Sequence, residues 1–114
     1  MRLDYDLIRT LLLLTEEHSN GICMLIYADY EKWLPDENTE KLWYHLKYLI
    51  DAELVEYEPY HITDITPKGR DYLDSIREPT IWSKAKEKAS YIGRVSFELL
   101  VHIAKDILLS SLEK

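Results

Sequence analysis

Apolar and polar positions follow two different periods along this chain. Over residues 4–17, Leu7, Leu11 and Leu14 fall at i, i+4 and i+7, with Ile8 and Leu12 beside them, which predicts a helix with one buried face. Asp4 and Asp6 suit its start, where carboxylates meet the positive end of the helix dipole. Asn20-Gly21 stops it, because both residues tolerate a left-handed backbone. Residues 22–27 fit either a short strand or the beginning of a helix, and the stretch reaching Trp33 reads as helical. Pro35-Asp36 marks a turn, with Asp36 or Asn38 as the next N-cap. The clearest helix covers residues 37–52. There Leu42, Leu46, Leu49 and Ile50 form a buried stripe opposite Lys41, Tyr44, Lys47, Tyr48 and Asp51.

The period then drops to two. Residues 54–58 alternate apolar and polar, Pro59 breaks the run, and residues 60–65 alternate again with Ile62 and Ile65 as anchors. The expectation is a small hairpin turning at Pro59-Tyr60. Thr66-Pro67 starts a helix with Thr as cap and Pro in the first turn, and Tyr72, Leu73 and Ile76 form its apolar side. After Glu78-Pro79, Thr80 is read as the cap of a helix through Trp82 to about residue 91, ended by Gly93. A last helix is expected over residues 95–112. Glu98, His102, Lys105, Asp106 and Glu113 share one side of it. Leu100, Ile103, Ala104, Ile107 and Leu108 fill an apolar arc wide enough to need more than one neighbour. Leu100, Ile103, Ile107 and Leu108 are therefore the candidate interface of a homodimer. Packing on the chain's own first helix is the alternative.

Composition narrows the class. A chain of 114 residues with 46% hydrophobic residues can bury a core. No stretch approaches the roughly 18 apolar residues of a membrane span, so no membrane partner is expected. The first residues lack the apolar run of a secretory leader. Cys23 is the single cysteine, which excludes an intrachain disulfide and fits a reducing cytoplasm. His18, His45, His61, His102 and Cys23 are scattered without metal-ligand spacing, and Gly21, Gly69 and Gly93 make no phosphate loop. The expectation is a non-enzymatic protein with no catalytic residues, metal or cofactor. The net charge is −7 and unevenly spread. Residues 1–58 hold thirteen carboxylates against five cations, whereas residues 59–114 hold eight against nine.

Two blocks carry a fold signal. The run from Tyr44 through His45, Leu46, Lys47 and on to Glu53-Leu54-Val55 looks like a recognition helix entering a wing strand. The run Ile65-Thr66-Pro67-Lys68-Gly69-Arg70-Asp71-Tyr72-Leu73 resembles the strand-to-helix step after a wing. The fold class expected is mainly α with a small β-hairpin: a winged helix-turn-helix over residues 1–76 and a two-helix C-terminal extension over residues 77–114. That extension packs on the first part or on a dimer partner. Met1-Arg2-Leu3-Asp4-Tyr5-Asp6-Leu7-Ile8-Arg9, Tyr72-Leu73-Asp74-Ser75-Ile76-Arg77 and Thr80-Ile81-Trp82-Ser83-Lys84-Ala85-Lys86-Glu87 extend the match. With them the whole chain resembles domain of unknown function 2513, a family of small bacterial, phage and prophage proteins with no established activity. One position departs from winged-helix proteins generally: Glu53 stands where Gly usually follows the recognition helix. A left-handed backbone there costs more for Glu than for Gly.

The fold reading makes the chain a candidate transcriptional regulator binding double-stranded DNA. Asn38, Thr39, Lys41, Tyr44, His45, Lys47 and Tyr48 would then face the major groove, with Tyr57, Tyr60 and His61 on the wing. The acidic first half opposes that reading, because DNA binders neutralise phosphates with Lys and Arg. The cations Lys68, Arg70, Lys84, Lys86, Lys88 and Arg94 would help only if folding set them beside Lys41 and Lys47. The competing reading is a protein-interaction module, favoured by nine Tyr and three Trp, residues enriched at interfaces. A third is an acidic surface that imitates nucleic acid.

Overall fold

Asp4 opens the first helix, as the charge pattern predicts. Its carboxylate accepts from the Leu7 N–H at 3.1 Å and caps α1 (Tyr5–His18). The elements that follow are α2 (Tyr27–Trp33), α3 (Thr39–Asp51), β1 (Val55–Glu58), β2 (His61–Ile65), α4 (Pro67–Ile76), α5 (Pro79–Ser90) and α6 (Phe97–Leu112). This computed structural model describes residues 1–112, so Glu113, assigned above to the polar side of the last helix, lies outside the described residues. The architecture is mainly helical with one antiparallel hairpin, consistent with a winged-helix-like arrangement. Contacts divide the chain into two units that meet within α4, residues 1–70 and the remainder.

In the first unit the stripe of α3 is buried as expected, with Leu42, Leu46 and Leu49 fully covered. Asn38 is its cap, its side-chain oxygen accepting from the Lys41 N–H at 3.0 Å. Residues 22–25 do not join α2. Leu25 instead exchanges backbone hydrogen bonds with Ile62, and the Gly21 N–H donates to the Thr63 carbonyl at 3.0 Å. That ambiguous segment is neither a full strand nor helical until Tyr27: it makes a single antiparallel bridge, Leu25 to Ile62, before α2 begins. In the hairpin the register slips after Glu56, pairing Glu56 with Asp64 but Tyr57 with Ile62, as a bulge does.

The exit of α3 is locked from the other side by the start of α4. The Thr66 hydroxyl donates to the Glu53 carbonyl at 2.6 Å, and the Thr66 N–H donates to the Leu54 carbonyl at 3.1 Å. The Gly69 N–H returns to the Thr66 hydroxyl oxygen at 3.0 Å, so Thr66 caps α4. Glu53 itself sits at φ 59°, the left-handed conformation that its place in the sequence foreshadows. Such a backbone strains a residue with a Cβ by roughly 1–2 kcal/mol, part of which Gly returns through its freer unfolded chain. Glu53→Gly is expected to stabilise the protein by about 0.5–1 kcal/mol in urea unfolding. A lower midpoint would show that the Glu53 side chain has a compensating contact.

Tyr30 and Thr15 form the polar pair of this core, both fully buried. The Thr15 hydroxyl donates to the Leu11 carbonyl at 2.8 Å, which spends its only hydrogen. Tyr30 must therefore donate to the Thr15 oxygen, 2.7 Å away. Burial pushes the Tyr30 hydroxyl up from 10.0 to about 12. The folded state thus favours the neutral phenol. Its contribution is complete below about pH 10 and is lost as pH rises through 12. Tyr30→Phe is expected to cost about 1 kcal/mol at neutral pH and to flatten the alkaline loss of stability, readable by unfolding at pH 8 and 11.

In the second unit, Glu78 caps α5, not Thr80. Its carboxylate accepts from the N–H groups of Thr80 at 3.0 Å and Ile81 at 2.9 Å, and Pro79 occupies the first helical position where no donor is needed. Those two bonds, together with Lys84 nearby, outweigh its slight desolvation and lower the Glu78 carboxyl below its usual range. Helices α5 and α6 pack along each other. Ile81, Trp82, Ala85 and Ala89 are buried on one, and Phe97, Leu100, Val101, Ile103 and Ala104 on the other. This corrects the assigned dimer face. Leu100 is only 2% and Ile103 only 8% exposed within the single chain, so neither is available to a second copy. Ile107 and Leu108 are half-buried, and the exposed large apolar residues of α6 are Leu99, Leu109 and Leu112.

Candidate functional site

The burial of α3 leaves one outward stripe: Glu40, Trp43, Tyr44, Lys47 and Asp51. Its spacing follows the helical period, so the same leucines that build the core fix which side chains a partner meets. Trp43 is 48% and Tyr44 43% exposed, large apolar surfaces for a helix in water. The Trp43 indole N–H donates to Glu31 of α2, which fixes the ring on the surface.

Both lysines of α3 are paired with carboxylates. The Lys41 ammonium lies 2.8 Å from the Asp4 carboxylate and 3.4 Å from Glu37. Burial alone would raise the Asp4 carboxyl, but the bonds from Lys41 and the Leu7 N–H outweigh it and hold the group below its ordinary range. The Lys47 ammonium contacts Asp51 at 2.6 Å, one turn on. Arg70 pairs with Glu16 at 3.7 Å and Asp64 at 3.9 Å, and Lys68 donates to the Ala52 carbonyl at 3.2 Å. Lys84, Lys86, Lys88 and Arg94 belong to the second unit.

His45 requires a correction. It is 0% exposed and cannot read a base edge. The Asp4 N–H donates to its Nε2 at 2.7 Å, and its Nδ1 lies 2.7 Å from the Lys41 carbonyl, which can only accept. The ring is therefore the neutral Nδ1–H tautomer, tying the start of α1 to α3. The stripe reading failed here because helical spacing puts position 45 on the edge of the Leu42–Leu46–Leu49 face. Among the other assigned residues, Asn38 spends its side-chain oxygen on the cap, Thr39 is exposed in the first turn, and Tyr48 is half-buried. His61 is half-buried at the start of β2, its Nδ1 3.1 Å from the Pro59 carbonyl.

Tyr60 lies at the hairpin turn with φ 70° and is 87% exposed. A bulky residue in that conformation is strained by roughly 1–2 kcal/mol, which glycine would avoid. Its N–H donates to the Tyr57 hydroxyl oxygen at 3.1 Å. Tyr57 and Tyr60 line a cleft with Tyr27, the first residue of α2, and the Tyr27 ring lies 5.7 Å from that of Trp43. Burial raises the Tyr27 hydroxyl above 10.0; Tyr57 and Asp51 act the same way and Lys47 against them. Four aromatic residues from α2, α3 and the hairpin thus converge on one face. Sequence reasoning placed Tyr57 and Tyr60 on the wing but missed Tyr27, whose segment had no clear period. Among the described residues, no three His, Cys, Asp or Glu side chains gather as metal ligands do, and no helix is long and apolar enough to cross a membrane.

Residues 2–94 match the family model described as "Hypothetical protein (DUF2513)". The chain belongs to the DUF2513 family. The DUF2513 match takes in the whole aromatic face and the lysines of α3, and it ends before α6. An "Uncharacterized protein" of Haemophilus influenzae is 30% identical over 94 residues, covering 75% of this chain and 76% of its own length. No solved structure matches the chain.

Proposed function

We propose that this chain is a winged-helix-like interaction module that binds a protein partner through the face built by α2, α3 and the hairpin. One observation carries the reading. Lys41 and Lys47, the lysines of α3, are both paired with carboxylates, while Trp43, Tyr44, Tyr57 and Tyr60 remain exposed beside them. Affinity for DNA comes mainly from neutralising its backbone, and each of these lysines would have to exchange its carboxylate for a phosphate first. Tyr and Trp suit a protein interface instead, giving large contact area at small entropy cost. Residues 1–70 carry fourteen carboxylates against seven cations, which repels DNA further. The half-buried Cys23 thiol, 3.4 Å from the Thr63 carbonyl, suits a reducing cytoplasm, where we place the protein.

The second reading is the DNA-binding regulator, favoured by the order of α2, α3 and the hairpin, which is that of helix-turn-helix proteins. Anisotropy of labelled duplexes, including the DNA flanking the gene, separates the two at low and physiological salt. The expected result is no saturable binding at either salt. In parallel, cross-linked partners captured by the wild type should be lost with Trp43→Ala plus Tyr60→Gly and kept with Glu87→Gln. Saturable DNA binding that Lys47→Ala weakens would overturn the proposal. Homodimerisation through α6 is a separate proposal, for which burial leaves Leu99, Leu109 and Leu112 with Ile107 and Leu108 on that helix. It predicts a light-scattering mass near twice 13.6 kDa.

A further inference from the structure

Tyr27, Tyr57 and Tyr60 line an open cleft of about 240 Å³, smaller than the pockets that hold whole cofactors. Its walls are three phenol rings from two elements far apart in sequence. Aromatic faces carry negative quadrupole potential, so such a cleft favours a cation over a neutral group of the same shape. The net charge of the surrounding unit has the same sign. The first unit as a whole is acidic, with fourteen carboxylates against seven cations over residues 1–70, and next to the cleft Asp51 and Lys47 both act on Tyr27 while paired with each other. The hairpin keeps Tyr60 at φ 70°, where glycine would be unstrained, and the exposed Tyr60 ring forms the third wall. Strain of this kind persists where the side chain it presents has a use.

We propose that this three-tyrosine cleft receives a cationic side chain of the protein partner, arginine in preference to lysine. The assignment rests on the protein-interaction reading above and names the chemistry of the partner. Arginine is preferred because its planar guanidinium stacks on aromatic rings and still has donors for the phenol oxygens, while a lysine ammonium is more strongly hydrated.

The test is an NMR titration of the full chain with N-acetyl-arginine amide, its neutral isostere N-acetyl-citrulline amide, N-acetyl-lysine amide and tetramethylammonium chloride. Arginine should give saturable shifts of the Tyr27, Tyr57 and Tyr60 ring signals. Citrulline should bind about tenfold more weakly, a difference of about 1.4 kcal/mol. Tyr60→Gly, which removes the third wall while relieving the backbone, should weaken arginine binding several-fold in a protein that stays folded. Equal binding of citrulline, or no ring shifts with arginine, would overturn the assignment. Tighter binding of tetramethylammonium than of arginine would overturn it too, since the cleft would then suit a free quaternary ammonium ion. Loss of partner capture by Trp43→Ala plus Tyr60→Gly without arginine binding would sink this inference and leave the interaction module standing. Saturable DNA binding would instead sink the module itself.

Discussion

Gly69→Ala is expected to destabilise the protein by about 3 kcal/mol, at the upper end of what overpacking costs. A Cβ at Gly69 would lie 2.1 Å from the Leu54 carbonyl oxygen and 2.8 Å from Cγ1 of Ile65. The first of these is backbone, held by the Thr66 N–H at 3.1 Å, and cannot swing aside as a flexible side chain does. The strain would fall on the seam where α4 locks the exit of α3 and the start of β1. Gly21→Ala is the control. Its φ of 87° disfavours a Cβ, but the nearest atom is a side-chain oxygen at 3.6 Å, so the expected cost is about 1–2 kcal/mol. Urea unfolding midpoints at unchanged slope read both. A Gly69→Ala cost no larger than that of Gly21→Ala would show that the seam gives way easily.

His45→Ala is expected to cost about 3 kcal/mol or slightly more. The ring is fully buried, so its removal leaves a cavity, strips the Asp4 N–H of its partner and takes the ring's bond from the Lys41 carbonyl. Asp4 also caps α1, so loosening its backbone should speed amide exchange at Leu7, whose N–H the Asp4 carboxylate holds. His45→Asn keeps a donor near the position of Nδ1 and should recover about 1 kcal/mol of the loss. A cost below 1 kcal/mol for the Ala variant would refute the role of this ring as the tie between α1 and α3. The same measurement bears on function, since a base-reading histidine would change DNA affinity and leave stability alone.

The helices and hairpin were legible because their causes are local. Leu42, Leu46 and Leu49 repeat at the helical period, Thr66-Pro67 and Asn38 carry capping chemistry, and Pro59 interrupts two alternating runs. The strain at Glu53 was foreshadowed by a carboxylate standing where glycine is usual, and its φ of 59° follows. The cap of α5 was misplaced by two residues because Glu78 is an uncommon cap, and only its two hydrogen bonds identify it. The segment at residues 22–25 had no period to read, since it is held by a single backbone bridge from Leu25 to Ile62.

The candidate face was legible only in part. Tyr44, Lys47 and Tyr60 were named from position alone, but burial removed His45, and only the folded chain shows that Lys41 and Lys47 lie in ion pairs. By itself, the sequence determined the element order, the inward stripe of α3 and the acidic balance, because propensity, capping and charge reside in neighbouring residues. Tertiary structure alone decided that Asp4 reaches Lys41, that His45 closes on the backbone of Asp4, and that Tyr27 meets Tyr57 and Tyr60. Those contacts join positions up to 41 residues apart, and no local period encodes which distant side chains a packed core brings together.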